Sequence, residues 1–317
     1  MVIELKRAIS LLREGQVIAI PTETVWGLAA RADDPVAVGK LRDLKGREEK
    51  KPLTLFPESV GRIGEYAKLR EAAKNILDGG LIPGPLTVIL EARINLKGVV
   101  AHDGSIGIRI PKHREALRLL AEAGFPLATT SANPPGLEPA RRLRELEAYF
   151  PGLPALRGES GGQEPSTLID LRAEPVILIR RGPVGLREIE AKGGVRVVSD
   201  DLRVLFVCTG GVDRSPAAAR WVMDQGIDGL EARHVGTLWA ESEILLAATW
   251  ADMIFPMEEY HKEFLEGIGV SPFKIIKPLG VPDPHGLEES VRQIILADMK
   301  KTLYETVLPE IRARLRL

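Results

Sequence analysis

The sequence has little of several things. Of its 317 residues one is cysteine and 5% are aromatic, and 43 lysines and arginines nearly cancel 44 aspartates and glutamates, for a net charge of −1. A single thiol excludes an internal disulfide framework and a cysteine-based metal cluster. The near-zero charge argues against a broad attraction to nucleic acid or a membrane surface. No apolar run approaches the roughly 20 residues of a membrane span. Residues 1–15 alternate apolar and charged positions at helical spacing and lack the apolar core of a signal peptide, so a cytoplasmic protein is expected. Asparagine and glutamine are scarce, while 27% of residues are charged, a composition that leans towards a thermophile.

What is present is length enough for two domains, each able to bury a core. In the first half the expected helices cover residues 2–14, 35–44, 59–78, 113–123 and 139–149. Short apolar strands fall at 17–21, 53–56, 86–91, 107–110, 126–130, 167–171 and 176–180. Their irregular alternation predicts an α/β domain with a mixed sheet. The expected partition is a first domain over 1–190, a linker over 191–201 with Gly193-Gly194 as its hinge, and a second domain over 202–317. The second half alternates more cleanly: strand 204–207, helix 216–225, strand 231–235, helix 242–250, strand 252–255, helix 258–266, strand 274–277 and helix 287–315. That pattern predicts a small doubly wound parallel fold.

The only cysteine opens the second domain's most informative stretch, Cys208-Thr209-Gly210-Gly211-Val212-Asp213-Arg214-Ser215. It follows an apolar strand and leads into a helix, with Ser215 expected as N-cap and Pro216 as the first helical residue. A helix N-terminus binds phosphate through its free N–H groups. The same field, with Arg214 and the Ser215 hydroxyl nearby, favours a thiolate at Cys208. A thiolate facing a bound phosphate is a nucleophilic phosphatase in outline. The plain alternative is a small buried cysteine beside an ordinary glycine turn.

Polar groups in the first domain gather at strand ends, where they can converge on a ligand. Lys45, Arg47, Lys50 and Lys51 could clamp a polyphosphate, although Glu48 and Glu49 also fit a solvated loop. Arg109 lies between Ile108 and Ile110 and is either an ion-pair partner or a carboxylate fork. Ser131 and Asn133 follow Thr129-Thr130 at a strand end, where capping and turn roles compete with binding.

Two resemblances follow from these residues. Cys208, Gly210, Arg214 and Ser215, a late Pro282-Asp283-Pro284 and Ala251-Asp252-Met253-Ile254 with Met257 and His261 resemble low-molecular-weight protein tyrosine phosphatases. The resemblance implies Cys208 as nucleophile, Arg214 as phosphate binder and Asp283 as general acid, acting on an unidentified phosphorylated substrate. Gly211 replaces the loop Asn, and Asp213 replaces a second Cys and should repel an anion if it points inward. The first domain is similar to YrdC-type threonylcarbamoyl-adenylate synthases over residues 5–185. Pro21-Thr22-Glu23-Thr24-Val25-Trp26-Gly27-Leu28, Lys45-Gly46-Arg47 with Pro52-Leu53, Gly84-Pro85-Leu86-Thr87, Arg109-Ile110-Pro111, Ser131-Ala132-Asn133, Ser166-Thr167 and Arg180 with Gly182 carry that similarity. It implies synthesis of threonylcarbamoyl-AMP from L-threonine, bicarbonate and Mg²⁺-ATP, for a modification completed on tRNA by a separate transferase. Thr24, Arg109, Thr129 and Ser166 would hold threonine. Lys45, Arg47, Lys51, Ser105, Ser131, Asn133 and Arg180 would hold ATP, and no tightly bound cofactor or protein metal site is implied. Phe56 stands where the family has His, and Pro139 where it has a nucleotide-contacting Ser. The competing reading is an RNA- or nucleotide-binding module joined to a catalytically weak anion-binding domain; the near-zero charge and the lack of a long basic stripe count against it.

Overall fold

The computed structural model describes residues 1–46 and 52–316. It divides into two compact units, Met1–Val184 with Lys192–Arg196, and Gly185–Ala191 with Val197–Leu317. The segment 191–201, expected as a linker, is not a free tether: it carries the end of one helix, α7 (Leu186–Gly193), and a strand, β11 (Val197–Val198).

Unit 1 begins with β1 (Val2–Ile3), α1 (Leu5–Arg13), β2 (Ile18–Ile20), β3 (Gly27–Arg31) and α2 (Pro35–Lys45). It continues with β4 (Thr54–Phe56), α3 (Ile63–Tyr66), α4 (Glu71–Asp78), β5 (Leu86–Glu91) and β6 (Ser105–Ile108). Then follow α5 (Arg114–Ala123), β7 (Leu127–Ser131), α6 (Leu143–Tyr149), β8 (Ala155–Leu156), β9 (Thr167–Asp170) and β10 (Val176–Arg180). These strands form one mixed sheet in the order β1-β8-β2-β3-β7-β4-β6-β5-β9-β10. β3 runs antiparallel to β7, β4 parallel to β6, and β5 antiparallel to β6 but parallel to β9. The apolar stripe of α1, with Leu5, Ala8, Ile9 and Leu12 buried, is the 3.6-period face that the sequence spacing implies.

Several boundaries move. Residues 2–3 are a strand, so the first helix starts at Leu5. The stretch 59–78 is no single helix: Ala67 turns extended (φ −142°, ψ 156°), and the Lys68 amide donates to the Glu91 carbonyl, so a sheet contact outcompetes the helical ladder. α6 begins only at Leu143.

Unit 2 holds β12 (Leu202–Cys208), α8 (Arg214–Met223), β13 (Leu230–Gly236), α9 (Glu241–Trp250), β14 (Met253–Pro256), α10 (Glu259–Gly267), α11 (Glu289–Thr302) and α12 (Leu308–Arg312). Its sheet is parallel, in the order β13-β12-β14, with β12 central and almost wholly buried. Such double-faced burial is why Val204–Val207 reads as an unbroken apolar run. The expected strand at 274–277 is reduced to a single bridge, Ile254 to Ile275. The last helix is interrupted by a π-turn at Leu303–Val307 that ends two residues before Pro309, whose ring cannot continue a regular i−4 ladder.

Candidate functional sites

Unit 1 contains a cavity of about 310 Å³ on one face of the mixed sheet. Side chains alternate across a strand, so β5 presents Thr87 and Ile89, while β6 and its extension present Ser105, Gly107 and Arg109. β7 and β9 add Thr129, Ser131 and Leu168, with Ser166 just before β9, and Arg180 closes the rim from the end of β10. Leu53, Thr54 and Phe56 line the same space.

Arg109 is the most constrained cation in it. It is 6% exposed, and its Nη2 donates to Thr24 Oγ1 at 2.8 Å and pairs with Glu23 Oε1 at 3.1 Å. Thr24 is fixed in turn by Thr22, whose hydroxyl lies 2.8 Å away and itself donates to the Val25 carbonyl. Burial lowers the Arg109 pKa, and the Glu23 carboxylate opposes that shift. Its Nε and Glu23 Oε2 have no hydrogen-bond partner among the described residues. The guanidinium carbon stands 5.9 Å from the ring centre of Phe56, the residue that replaces the expected His. Arg180 reaches back over Ser166, donating from Nη2 to its carbonyl at 2.8 Å and to its hydroxyl at 3.3 Å. Desolvation and then the charge of Arg109 lower the Arg180 pKa. Two guanidinium groups that repel each other beside one cavity make a place for an anion.

Lys45 sits where the sequence suggested an exposed basic loop, yet it is 6% exposed. Asp34 caps α2 by accepting from the Val36 and Ala37 amides, and Gly46 ends the helix at φ 60°, which leaves Lys45 as the last helical residue. Its ammonium donates to the Ser131 carbonyl at 2.9 Å, the Asn133 carbonyl at 2.6 Å and Asn133 Oδ1 at 2.5 Å. Ser131 and Asn133 thus hold Lys45, and Ser131 donates to Asn133 Oδ1 at 2.7 Å. Ser105 lies on the cavity wall, its amide held by Asp103. The Thr129 hydroxyl donates to the Thr54 carbonyl at 3.0 Å. Arg47 and Lys51 lie outside the described residues. Glu23, Thr22 and Thr87 are contacts of this site that the sequence reading quoted within motifs without giving them a role. For Thr87 the signal was a polar residue inside an apolar run, and for Thr22 and Glu23 a polar turn between two apolar runs.

Unit 2 gathers a second site from a shorter stretch. β12 ends at Cys208, which is 3% exposed, and α8 starts at Arg214. The expected Ser215 N-cap is not observed: Asp213 occupies that position without a side-chain cap, and its carboxylate pairs with Arg292 at 3.3 Å. Ser215 instead donates to the Val235 carbonyl and lies 3.1 Å from Cys208 Sγ. The Gly211 amide donates to Cys208 Sγ at 3.2 Å. Gly211 has φ +69°, and a Cβ there would meet Trp239 Nε1 at 2.7 Å, so the turn requires glycine. Arg214, 1% exposed, donates to Glu258 and to the Val281 carbonyl, and pairs with Asp283 Oδ2 at 3.1 Å. His261 Nδ1 accepts from the Glu258 amide, so the proton sits on Nε2 facing Thr209 Oγ1 at 3.1 Å. Burial and the charge of Arg214 push His261 down to about 4, so the ring is neutral. Glu258, which clamps Arg214, carried no role in the sequence reading.

The first unit thus defines a mixed-sheet α/β protein with a hydroxyl- and guanidinium-lined cavity. The chain belongs to the Sua5/YciO/YrdC family, whose model, described as Telomere recombination, matches residues 10–182. It is similar to the threonylcarbamoyl-AMP synthase of Pyrococcus abyssi, at 32% identity over 59% of this chain and 56% of that one. Against the mouse threonylcarbamoyl-AMP synthase the identity is 36% over 47% of this chain and 53% of that one. The chain therefore spans little more than half the length of these relatives. The crystal structure of P. abyssi Sua5 complexed with L-threonine superposes with a TM-score of 0.59 at 25% identity, covering 87% of this chain and 99% of that one. Escherichia coli YciO, at 22% identity and a TM-score of 0.55, shares the fold.

Proposed function

We propose that unit 1 makes threonylcarbamoyl-AMP: L-threonine, bicarbonate and ATP give the mixed carbamoyl adenylate, pyrophosphate and water. One observation carries this reading, the convergence on one cavity of Arg109, which Thr24 holds from behind, and of Arg180 with Ser166. The names of its relatives and the threonine bound to P. abyssi Sua5 support it. Arg109 would grip the threonine carboxylate, with Thr24, Thr129 and Ser166 around the rest of the amino acid. Lys45, Ser105, Ser131, Asn133 and Arg180, with Arg47 and Lys51, would serve ATP, whose phosphates bring Mg²⁺ with them. The carboxylate oxygen of N-carboxylated threonine attacks the α-phosphorus as the bond to pyrophosphate breaks. The protein supplies position and charge neutralisation for that step. The product would pass to a separate transferase acting on tRNA in the cytoplasm.

The test is pyrophosphate release by the full chain with Mg-ATP and bicarbonate, with and without L-threonine. The expected signal depends on threonine and is lost in Arg109→Ala. ATP binding without threonine-dependent release, together with a salt-dependent RNA shift, would favour the RNA-binding reading instead.

For unit 2 the reading is a cysteine-dependent phosphomonoesterase of a phosphatase-like domain. It is supported by the Gly211 amide and the Ser215 hydroxyl at the Cys208 sulfur, with Arg214 and Asp283 ion-paired beside the loop. Cys208 would attack phosphorus and Asp283 would protonate the leaving oxygen. Hydrolysis of para-nitrophenyl phosphate by the wild-type chain and its loss in Cys208→Ser is the expected outcome. Vanadate binding without turnover would reduce the domain to an anion-binding module.

A further inference from the structure

Thr87 is 4% exposed and lines the unit 1 cavity. Its hydroxyl lies 2.7 Å from the Ser166 hydroxyl. The pair has two O–H protons. One is used between the two oxygens, and Ser166 Oγ further receives Arg180 Nη2 at 3.3 Å. No acceptor for the second proton is present among the described residues. A buried donor without an acceptor is costly, and here it sits among cationic groups, Arg180 on Ser166 and Arg109 on the same cavity wall. A spare hydroxyl proton beside two guanidiniums asks for an oxyanion. Apolar side chains also bound the space for it. Ile89 and Leu168 flank Thr87 and Ser166, and Gly107 lacks the side chain that would stand 3.9 Å from both Thr87 Cγ2 and Thr54 Oγ1.

We propose that the Thr87–Ser166 hydroxyl pair, between Arg109 and Arg180, is the seat of bicarbonate, with Thr87 its hydroxyl donor. The assignment rests on the synthase reading for its choice of oxyanion. The pair lies between the proposed threonine side, at Arg109, and the proposed nucleotide side, at Arg180. A carboxyl group must join the two substrates between those sides. A compact oxyanion fits the hydroxyl-floored gap left by Gly107.

The test uses the full chain in two ways: steady-state pyrophosphate release with bicarbonate, threonine and Mg-ATP varied in turn, and line broadening of ¹³C-bicarbonate at fixed pH. Thr87→Val keeps the branched shape and removes the hydroxyl. It should raise the apparent KM for bicarbonate about tenfold to a hundredfold, the range for one hydrogen bond to a charged group. KM for threonine and ATP should stay within about twofold, and Thr87→Ser should behave as wild type. Should the valine variant fail to fold, Gly107→Ala fills the same floor and is expected to raise the bicarbonate KM alone. An unchanged bicarbonate KM, or an equal rise in all three constants, overturns the proposal. The two readings fail separately. Broadening that depends on Thr87 in a chain with no threonine-dependent turnover sinks the synthase and keeps the bicarbonate site. Turnover with broadening indifferent to Thr87→Val does the reverse.

Discussion

The two sites are built in opposite ways. The loop at the centre of the unit 2 site is local: Cys208, Gly211, Arg214 and Ser215 lie within eight consecutive residues, on a strand end, a turn and the start of a helix, and only its flanking groups Glu258, His261 and Asp283 come from further along the chain. The unit 1 cavity draws Thr22, Thr87, Arg109, Ser166 and Arg180 from more than 150 residues of chain, with the pairing of β5, β6 and β9 bringing its centre together. A local site depends on backbone conformation, because the turn itself aims the amides. A dispersed one depends on sheet register, since a one-residue slip would turn Thr87 and Arg109 away from the cavity. Damage should therefore look different in the two places.

The largest contrast is catalytic. Cys208→Ser should lower phosphomonoester hydrolysis by at least about 10³-fold, as loss of a nucleophile does, and leave threonine-dependent pyrophosphate release within error. A parallel fall in both activities would mean that the sites are not independent. Next in size is Arg109→Ala. It strands the mostly buried Glu23 carboxylate, and breaking such a pair from one side costs about 3–5 kcal/mol, readable as a lower urea midpoint. Glu23→Gln together with Arg109→Ala should recover part of that loss; no recovery would deny the pair its structural role.

Glycine substitutions test the distinction between backbone and register directly. Gly211→Ala must place a side chain at φ +69° and against Trp239, and about 1–3 kcal/mol of destabilisation is expected. Gly107→Ala meets its neighbours at an ordinary 3.9 Å and should change stability by about 0.5 kcal/mol or less. Equal losses in thermal unfolding would erase the comparison.

A pH slope separates the two regions as well. His261 titrates near 6.5 when unfolded and is pushed down to about 4 when folded. Between those values the unfolded chain binds the extra proton, so the folded state loses stability as pH falls from about 6.5 towards 4. Denaturant titrations across that window should show the loss, and His261→Gln should flatten it.

Much of this was legible beforehand, for identifiable reasons. Val204–Val207, the glycines and Arg214 are neighbours in the chain, so their strand–loop–helix arrangement follows from periodicity and turn chemistry. The helix start was still misplaced from Asp213 to Ser215, because the Ser215 hydroxyl is drawn to the Val235 carbonyl on β13. The break in the 59–78 helix and the loss of a strand at 274–277 are likewise set by partners distant in sequence. Lys45 shows the same limit. Its charged surroundings read as solvated, whereas three carbonyl-type oxygens of Ser131 and Asn133 hold its ammonium inside.

By itself, then, the sequence determined the α/β character of both halves, the cysteine loop and the polar residues that punctuate the apolar strands. These depend on local φ/ψ preference and on periods of 2 and 3.6 residues, which any short window carries. Only the tertiary structure decided which polar residues meet: Glu23 with Arg109, Thr87 with Ser166, Ser166 with Arg180, and Glu258 and Asp283 with Arg214. Those pairings bring together groups tens of residues apart, and strand order and register, which no local preference encodes, set them.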